Sequence, residues 1–488
     1  MRFWPLIAAA PLILGNGDPV VRTDHGAVRG QAIEQGAAFR GIPFAAPPVG
    51  SLRWREARPA RPWRGIRDAR SFGAACIQPT RGEALPQSED CLTLNVVTPD
   101  RRAKGLPVLV SIHGGAFAFG SGRYIADHDL SPIVRRGVVL VSPNYRVGRM
   151  GFFAHAALRA ENGRATGNFW LSDQIAALRW VRDNIARFGG DPARVTVLGC
   201  SAGGSLVNAL MAAPVARGLF ARASVHSGGG FFNASRPMAL AEAQGLAFAQ
   251  RAGAKTLAQL RALSPAQVLA ADPGPPDYGA MEDGRLVPMG VSRIFAAGRQ
   301  APVPLIVGST SNEASVFGLM GFDAKVLRER FGIDVAALRP MYERNGPLSD
   351  AELLRRVQTD FIFTSASQGM AGLAARTAPT WSYHFAFVPQ AERATSPGAP
   401  HCADMPYLFG LKTALDPEEA RLAQAMQDYW YNFIATGNPG ASWPAIRPGH
   451  PAPMVFNAAS RIEPDFQRER LDYWWSRWMR ESGSSTAP

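Results

Sequence analysis

Gly199-Cys200-Ser201-Ala202-Gly203 sets a serine in the pattern G-x-S-x-G. It follows the apolar run Val195-Thr-Val-Leu198 and precedes Leu206-Val-Asn-Ala-Leu-Met211, which can continue as a helix. A serine pinched between strand and helix needs glycine two residues away on either side, because side chains there would collide with neighbouring elements. Its chemistry would be nucleophilic attack, and a hydroxyl is a poor nucleophile until a base takes its proton. Acyl transfer also needs N–H donors where a carbonyl oxygen becomes negative. His113-Gly-Gly-Ala116-Phe117 ends another apolar run and carries the glycines that let backbone approach a reacting group. The N–H of Ala202, next after the serine, would complete such a donor set.

The base is sought among eight histidines. A serine in this setting resembles the α/β-hydrolases, whose chain order is nucleophile, acid, histidine, and that order leaves His384, His401 and His450. His384 lies inside the apolar run Tyr383-His-Phe-Ala-Phe387 and reads as a strand or core residue. His450, in Arg447-Pro-Gly-His-Pro, has a surface-turn composition. His401 follows Ser396-Pro-Gly-Ala-Pro400, a loop after a strand that can deliver an imidazole to the top of a sheet, and is chosen. The acid should lie on a loop after an earlier strand. Gly308-Ser-Thr-Ser-Asn-Glu313 meets that description, although position alone leaves Glu313 equally readable as a surface acid.

The elements that must position these residues are short apolar runs. Leu106–Ile112, Val138–Ser142, Val195–Leu198, Val303–Val307 and Trp381–Phe387 are continuous enough for strands covered on both faces. Ile175, Leu178, Val181, Ile185 and Phe188 recur at steps of three and four, as on an amphipathic helix. Strand, helix, strand in that order predicts an α/β fold with a mostly parallel central sheet and crossover helices. Residues 237–379 read as large helical insertions walling the mouth at the strands' C-terminal ends, with Val303–Val307 their one strand-like run. Ser264-Pro-Ala-Gln267 and Ser349-Asp-Ala-Glu352 have the capping-box pattern. No linker or repeat offers a second boundary, so residues 18–488 are read as one domain with a polar tail from Glu481 that frays.

Met1-Arg2, the apolar run Phe3–Leu14 and the small residues Gly15 and Gly17 form a secretory leader pattern over residues 1–17. Pro5 and Pro11 suit neither a buried strand nor a helix, and the run is too short to span a bilayer. The expected location is secreted or periplasmic, with no membrane span. The net charge of +13 would suit a nucleic-acid partner. That reading is set aside, since only four of the 52 basic residues are lysine and the arginines are scattered without a basic block.

The motifs together resemble the type B carboxylesterases, the family that includes the cholinesterases. Phe39-Arg-Gly-Ile-Pro-Phe-Ala-Ala-Pro-Pro-Val-Gly50 with Leu52-Arg-Trp54, and Glu89-Asp-Cys-Leu-Thr-Leu-Asn95, resemble its two N-terminal signatures. Asn144-Tyr-Arg-Val-Gly148 and Leu171-Ser-Asp-Gln174 fall between the His113 loop and the serine as that family has them. Asn312-Glu-Ala-Ser-Val-Phe317 resembles its acid segment and His401-Cys-Ala-Asp-Met-Pro-Tyr-Leu-Phe409 its histidine segment. The resemblance implies an α/β-hydrolase fold and a triad of Ser201, Glu313 and His401. It also implies oxyanion donors at Gly115, Ala116 and Ala202, no metal or cofactor, and a small-molecule ester as substrate. A catalytically silent binding protein of the same fold is the alternative, disfavoured because all three triad residues are present.

Two departures from the family matter. The segment between Cys76 and Cys91, which in the family is closed by a disulfide, has no aromatic residue where cholinesterases carry a tryptophan. A cation–π choline site is therefore not expected there. The family also usually has glutamate before the serine and glycine after the histidine, and here both are cysteine, Cys200 and Cys402. Because Ser201 and His401 must meet, their neighbours are expected within the Cα separation of roughly 4.4–6.8 Å that a disulfide needs. A bridge is therefore expected there, as in the fungal tannase and feruloyl esterase family. Closing about 200 residues would contribute somewhat more than 4.7 kcal/mol on the chain-entropy model, against about 3 kcal/mol for Cys76–Cys91. Losing the glutamate weakens selection for cations, so the substrate is expected to be an uncharged or aromatic ester. Phe117, Phe119, Trp170 and Phe231 are candidate pocket or core residues. Ser227, in His226-Ser-Gly228 where the family usually has glutamine before the serine, either bonds Glu313 or packs. Asn233-Ala-Ser235 is a glycosylation sequon, which matters only in a glycosylating host.

Overall fold

Alternate residues of the central apolar runs go to opposite faces of one sheet, and both faces are buried. Val108, Val110 and Ile112 join Val195, Val197, Val225 and Val307 in one core, while Leu109 joins Leu140, Leu198, Ile306 and Tyr383 in the other. The computed structural model describes residues 17–34, 36–80, 85–126, 131–229, 235–274, 278–448 and 452–481. The leader pattern, apart from Gly17, lies outside the described residues, as do Phe231, Asn233, His450 and the tail beyond Glu481.

The sheet has eleven strands. In chain order they are β1 (Gln31–Ile33), β2 (Gly36–Pro43), β3 (Thr93–Thr98), β4 (Leu106–Ile112), β5 (Val139–Pro143) and β6 (Gly190–Cys200). They continue with β7 (Arg222–His226), β8 (Leu305–Thr310), β9 (Thr380–Phe385), β10 (Met454–Phe456) and β11 (Arg461–Ile462). Their spatial order is β11-β10-β9-β8-β7-β6-β4-β5-β3-β2-β1. Every pairing from β5 across to β10 is parallel, and the flanking pairs are antiparallel. Parallel pairing sends successive strand ends to the same edge, and that is how loops far apart in sequence meet.

Helix α1 (Phe169–Asn184) runs into a 3₁₀ turn at Ile185–Phe188 and buries the Ile175, Leu178, Val181, Ile185, Phe188 stripe. Helix α2 (Ala202–Ala212) puts Leu206, Val207 and Leu210 on the same face of the sheet, and Met426, Trp430 and Phe433 of Pro417–Thr436 cover the other. The insertions include Met238–Arg251, Leu257–Ala262, Pro265–Ala271, α3 (Asp350–Thr359) and α4 (Ser365–Ala374), the last two joined by a π-helical turn at Asp360–Thr364. They reach the loops at the strand ends. Asp272 pairs with Arg149 after β5, and the Phe363 ring lies 4.8 Å from that of His401 after β9.

Two local expectations need correction. Val303–Val307 is not the one strand of the insertion region, since Met281–Glu282 pairs with Arg236–Pro237. A two-residue ladder has no periodicity to read in sequence. The Ser264 box forms in full, but at Ser349 only the serine half does: its hydroxyl accepts from Glu352 N, while the Glu352 carboxylate is held by Arg355 and Arg356. A doubly charge-assisted bond outcompetes a bond to one backbone N–H.

The N-terminal motifs are joined by buried ions. Arg53 grips Glu89 close to the Cys76–Cys91 disulfide, whose Cα atoms are 5.0 Å apart. Arg146 meets Asp173 of α1 through Nε and its own backbone N at 2.9 and 3.0 Å, with Asp173 fully buried. Removing one member of such a pair leaves a buried charge without its partner. Asp173→Asn is expected to cost ~3–5 kcal/mol, read as a lower urea midpoint with an unchanged m-value.

Candidate active site

Ser201 sits between β6 and α2 with φ 59° and ψ −128°, a backbone conformation seldom adopted by a residue with a side chain. Its N–H donates to His226 O at 2.9 Å and its carbonyl accepts from Ser205 N at 3.0 Å. The turn is held by close backbone contact. A Cβ on Gly203 would stand 2.2 Å from Ile112 O, and one on Gly199 2.4 Å from the Gly203 carbonyl carbon. These are the collisions that the G-x-S-x-G spacing avoids.

The His113 loop lies directly on this turn, for a Cβ on Gly114 would be 2.8 Å from Cys200 O and 3.3 Å from Ser201 Cβ. Gly115, Ala116 and Phe117 all have positive φ, at 109°, 51° and 60°. Among the described residues the N–H groups of Gly115, Ala116 and Ala202 donate to nothing. The His113 ring stacks on Tyr145 at 4.3 Å, and the Tyr145 hydroxyl donates to His113 O. Burial brings its pKa down to about 4, so the ring is neutral near pH 7.

Glu313 opens a 3₁₀ turn after β8 and is fully buried. Its Oε1 accepts from Thr310 N at 2.7 Å, and its Oε2 forms a short contact with His401 Nδ1. The two loops are zipped together: Asn312 N donates to Ala399 O, Ala399 N to Ser311 Oγ and His401 N to Ser315 Oγ. His401 Nε2 is buried with no partner among the described residues, and Ser201 Oγ makes no hydrogen bond to it. Such contacts often tighten only when substrate is bound. The serine turn and the histidine loop are joined instead by the Cys200–Cys402 disulfide, with Cα atoms 6.2 Å apart.

The remaining candidates separate clearly. His384 is a buried strand residue 3.2 Å from Ser309 Oγ, and burial takes its pKa to about 3. Ser227 is fully buried, but its hydroxyl bonds nothing among the described residues, so of its two readings packing holds. Trp170 belongs to the core, stacked 5.2 Å from Phe152, whereas Phe117 and Phe119 are half-buried on the His113 loop. Ser235 of the sequon is buried and accepts from Val291 N.

Sequence reasoning overlooked two groups. One is Phe363, brought onto His401 by the π-helical turn. The other is a wholly buried set beneath the serine: His226, Asp404, Tyr383, Ser224 and Trp430. Histidine at 226 in place of the family's usual glutamine was the signal available.

A serine held in a left-handed turn at the end of a central parallel strand, with a buried glutamate–histidine pair on later loops, defines an α/β-hydrolase. The comparisons with known proteins narrow this further. The carboxylesterase family profile matches residues 17–474. The chain is 33% identical to the para-nitrobenzyl esterase of Bacillus subtilis (strain 168), over 92% of this chain and 97% of that one. It is 35% identical to the fumonisin B1 esterase of Sphingopyxis macrogoltabida, over 89% and 86%. A solved para-nitrobenzyl esterase structure superposes with a TM-score of 0.82 at 31% identity, covering 93% of this chain and all of that one. The chain belongs to the carboxylesterase family and is a serine carboxylic ester hydrolase.

The lowered pKa values of His113 and His384 carry a stability consequence. Unfolded, each titrates near 6.5; folded, His113 does so at about 4 and His384 at about 3. Between those values the unfolded chain binds more protons, so their contribution is fully present above pH 6.5 and is lost as pH falls toward 4 and 3. The slope contributed is at most ~1.4 kcal/mol per pH unit per histidine. His384→Gln should flatten the pH dependence of the unfolding free energy below pH 6.5, measured by urea titration.

Proposed function

We propose that Ser201 attacks the carbonyl carbon of a small-molecule ester, with His401 as base and Glu313 as the group that orients it. The observation that carries this reading is the buried Glu313–His401 pair, placed against the serine turn by the Cys200–Cys402 bridge. As the Ser201 Oγ–carbon bond forms, His401 Nε2 takes the hydroxyl proton, and Glu313 stabilises the imidazolium through Nδ1. The carbonyl oxygen becomes an oxyanion received by the N–H groups of Gly115, Ala116 and Ala202. The imidazolium returns the proton to the departing alkoxide as the ester C–O bond breaks. Water, deprotonated by His401, then splits the acyl-enzyme and releases the acid.

An uncharged or aromatic ester suits the surroundings. Phe363 lies on the His401 ring, Phe317 is 5.8 Å from Phe363, and Phe322 is 5.6 Å from Phe317. Cys200 stands where the family usually has a carboxylate, and so removes an attraction for cations. A relative named para-nitrobenzyl esterase is in keeping with an aromatic ester. The leader pattern and the pairing of all four cysteines in disulfides support a secreted or periplasmic enzyme whose mature chain begins near Asp18. No helix among the described residues is long and apolar enough to cross a membrane.

Ser201→Ala is expected to lower kcat on a short-chain aryl ester by about 10⁶-fold and to abolish labelling by an organophosphonate. Glu313→Gln should cost about 10⁴-fold. Full activity of Ser201→Ala would overturn the proposal. Mild reduction should lower activity before the far-UV circular dichroism changes, and alkylation of unreduced protein should leave Cys200 and Cys402 unmodified in mass mapping.

A further inference from the structure

The buried set under the serine joins the two halves of the site. His226 ends β7 in register with Cys200 of β6, and its carbonyl oxygen accepts the Ser201 N–H that fixes the turn. Its ring Nδ1 lies 2.6 Å from Asp404 Oδ2 and Nε2 lies 2.9 Å from Ser224 Oγ. Asp404 is on the histidine loop, two residues beyond Cys402 and three beyond His401. The Tyr383 hydroxyl donates to the same Oδ2 at 2.7 Å, and Trp430 Nε1 donates to Ser224 Oγ at 3.0 Å. His226 and Asp404 are both wholly inaccessible to solvent.

A carboxylate in such a place persists only if its partners outweigh the loss of water. Burial by itself pushes Asp404 upward, but the His226 ring and the Tyr383 hydroxyl more than offset this and hold it below the ordinary carboxylate range. Tyr383, buried between Asp404 and the charge of Glu313, is pushed far up and stays a donor. The contact therefore acts as a fixed link between two backbone segments. One segment carries the nucleophile and the other carries the base.

We propose that His226 and Asp404 are positioning residues, a buried polar tie that holds the His401 loop against the Ser201 turn in parallel with the Cys200–Cys402 disulfide. The inference rests on the assignment of Ser201 and His401 given above. The two ties leave the same elements in the same way: the disulfide joins the residue before the serine to the residue after the histidine. The polar tie joins the ring of the residue whose carbonyl anchors the serine's N–H to the residue three beyond the histidine. Either tie alone restricts the loop, and a misplacement of about 1 Å costs on the order of 10²-fold in rate. Neither residue touches substrate, so the cost should fall on kcat and leave KM in place.

The test is a double-mutant cycle on the full-length mature enzyme, with kcat and KM for an aryl ester expressed per active site titrated with an organophosphonate. His226→Leu is expected to lower kcat by roughly 10-fold with the disulfide intact and by roughly 100-fold in a Cys200→Ala, Cys402→Ala background, with KM within twofold in both. His226→Gln keeps a donor for Asp404 and should recover kcat to within about threefold of the parent. Asp404→Asn, which conserves shape, gives the same reading if His226→Leu fails to fold, and should lower kcat without moving KM. An unchanged kcat, an equal cost in both backgrounds, or a failure of glutamine to restore the rate would each overturn the proposal. Ser201→Ala, run alongside, separates this outcome from a failure of the triad assignment: if it stays active, the assignment has failed, and if it is inactive, the cycle tests the tie alone.

Discussion

The backbone of Ser201 is the constraint on which the rest of this structure depends. A residue with a side chain is held at φ 59°, which costs of order 1–3 kcal/mol and persists only when its surroundings over-determine it. They do so by contact of backbone on backbone. Gly203 lies against Ile112 O, Gly114 against Cys200 O and Gly204 against Gly228, so the turn, the His113 loop and the end of β7 are pressed together with no room for a methyl group. The hydrogen bond from Ser201 N to His226 O closes the same contact from below.

Around that turn, charge is handled by pairing. Many of the arginines make ion pairs within the fold, although the net excess of +13 itself is what such pairing leaves over. Arg53 with Glu89, Arg146 with Asp173 and Arg149 with Asp272 are buried or partly buried and join segments far apart in sequence. Others, such as Arg355 and Arg356 on Glu352, fix the start of α3 beside the acid loop. Their planar, forked guanidinium groups suit such two-point contacts, which gives the arginines a structural role that needs no external ligand.

The histidine loop shows why a covalent and a polar link occur together. A loop after a strand end gains little from burial of its own apolar side chains and would otherwise sample many positions. Here Cys402, with φ 60°, is fixed to the serine turn, Asp404 is fixed within the core, and the stretch between Ala399 and His401 is stitched to the acid loop. The imidazole is thereby held from three sides while its Nε2 stays uncommitted.

Much of this was legible from residue order. The strand runs, the helical stripe from Ile175 to Phe188 and the glycines around Ser201 are local patterns, and local patterns follow from backbone sterics and the burial of alternate side chains. The placement of His384 in a strand and of His401 on a loop was also legible, because an apolar run marks a strand and a Pro/Gly stretch marks a loop. Resemblance, rather than position, singled out Glu313. The Ser227 hydroxyl, the second half of the Ser349 cap and the Met281–Glu282 ladder could not be read, since each depends on which partner is nearer in space. The His226–Asp404 tie shows the limit most plainly. Its members are 178 residues apart and meet because parallel pairing carries the ends of β7 and β9 to one edge of the sheet. Sequence by itself determined which residue types could do the chemistry and which elements would carry them. The tertiary structure decided which of them touch, because a contact between distant segments is set by sheet order and packing, and neither is written in any local stretch of chain.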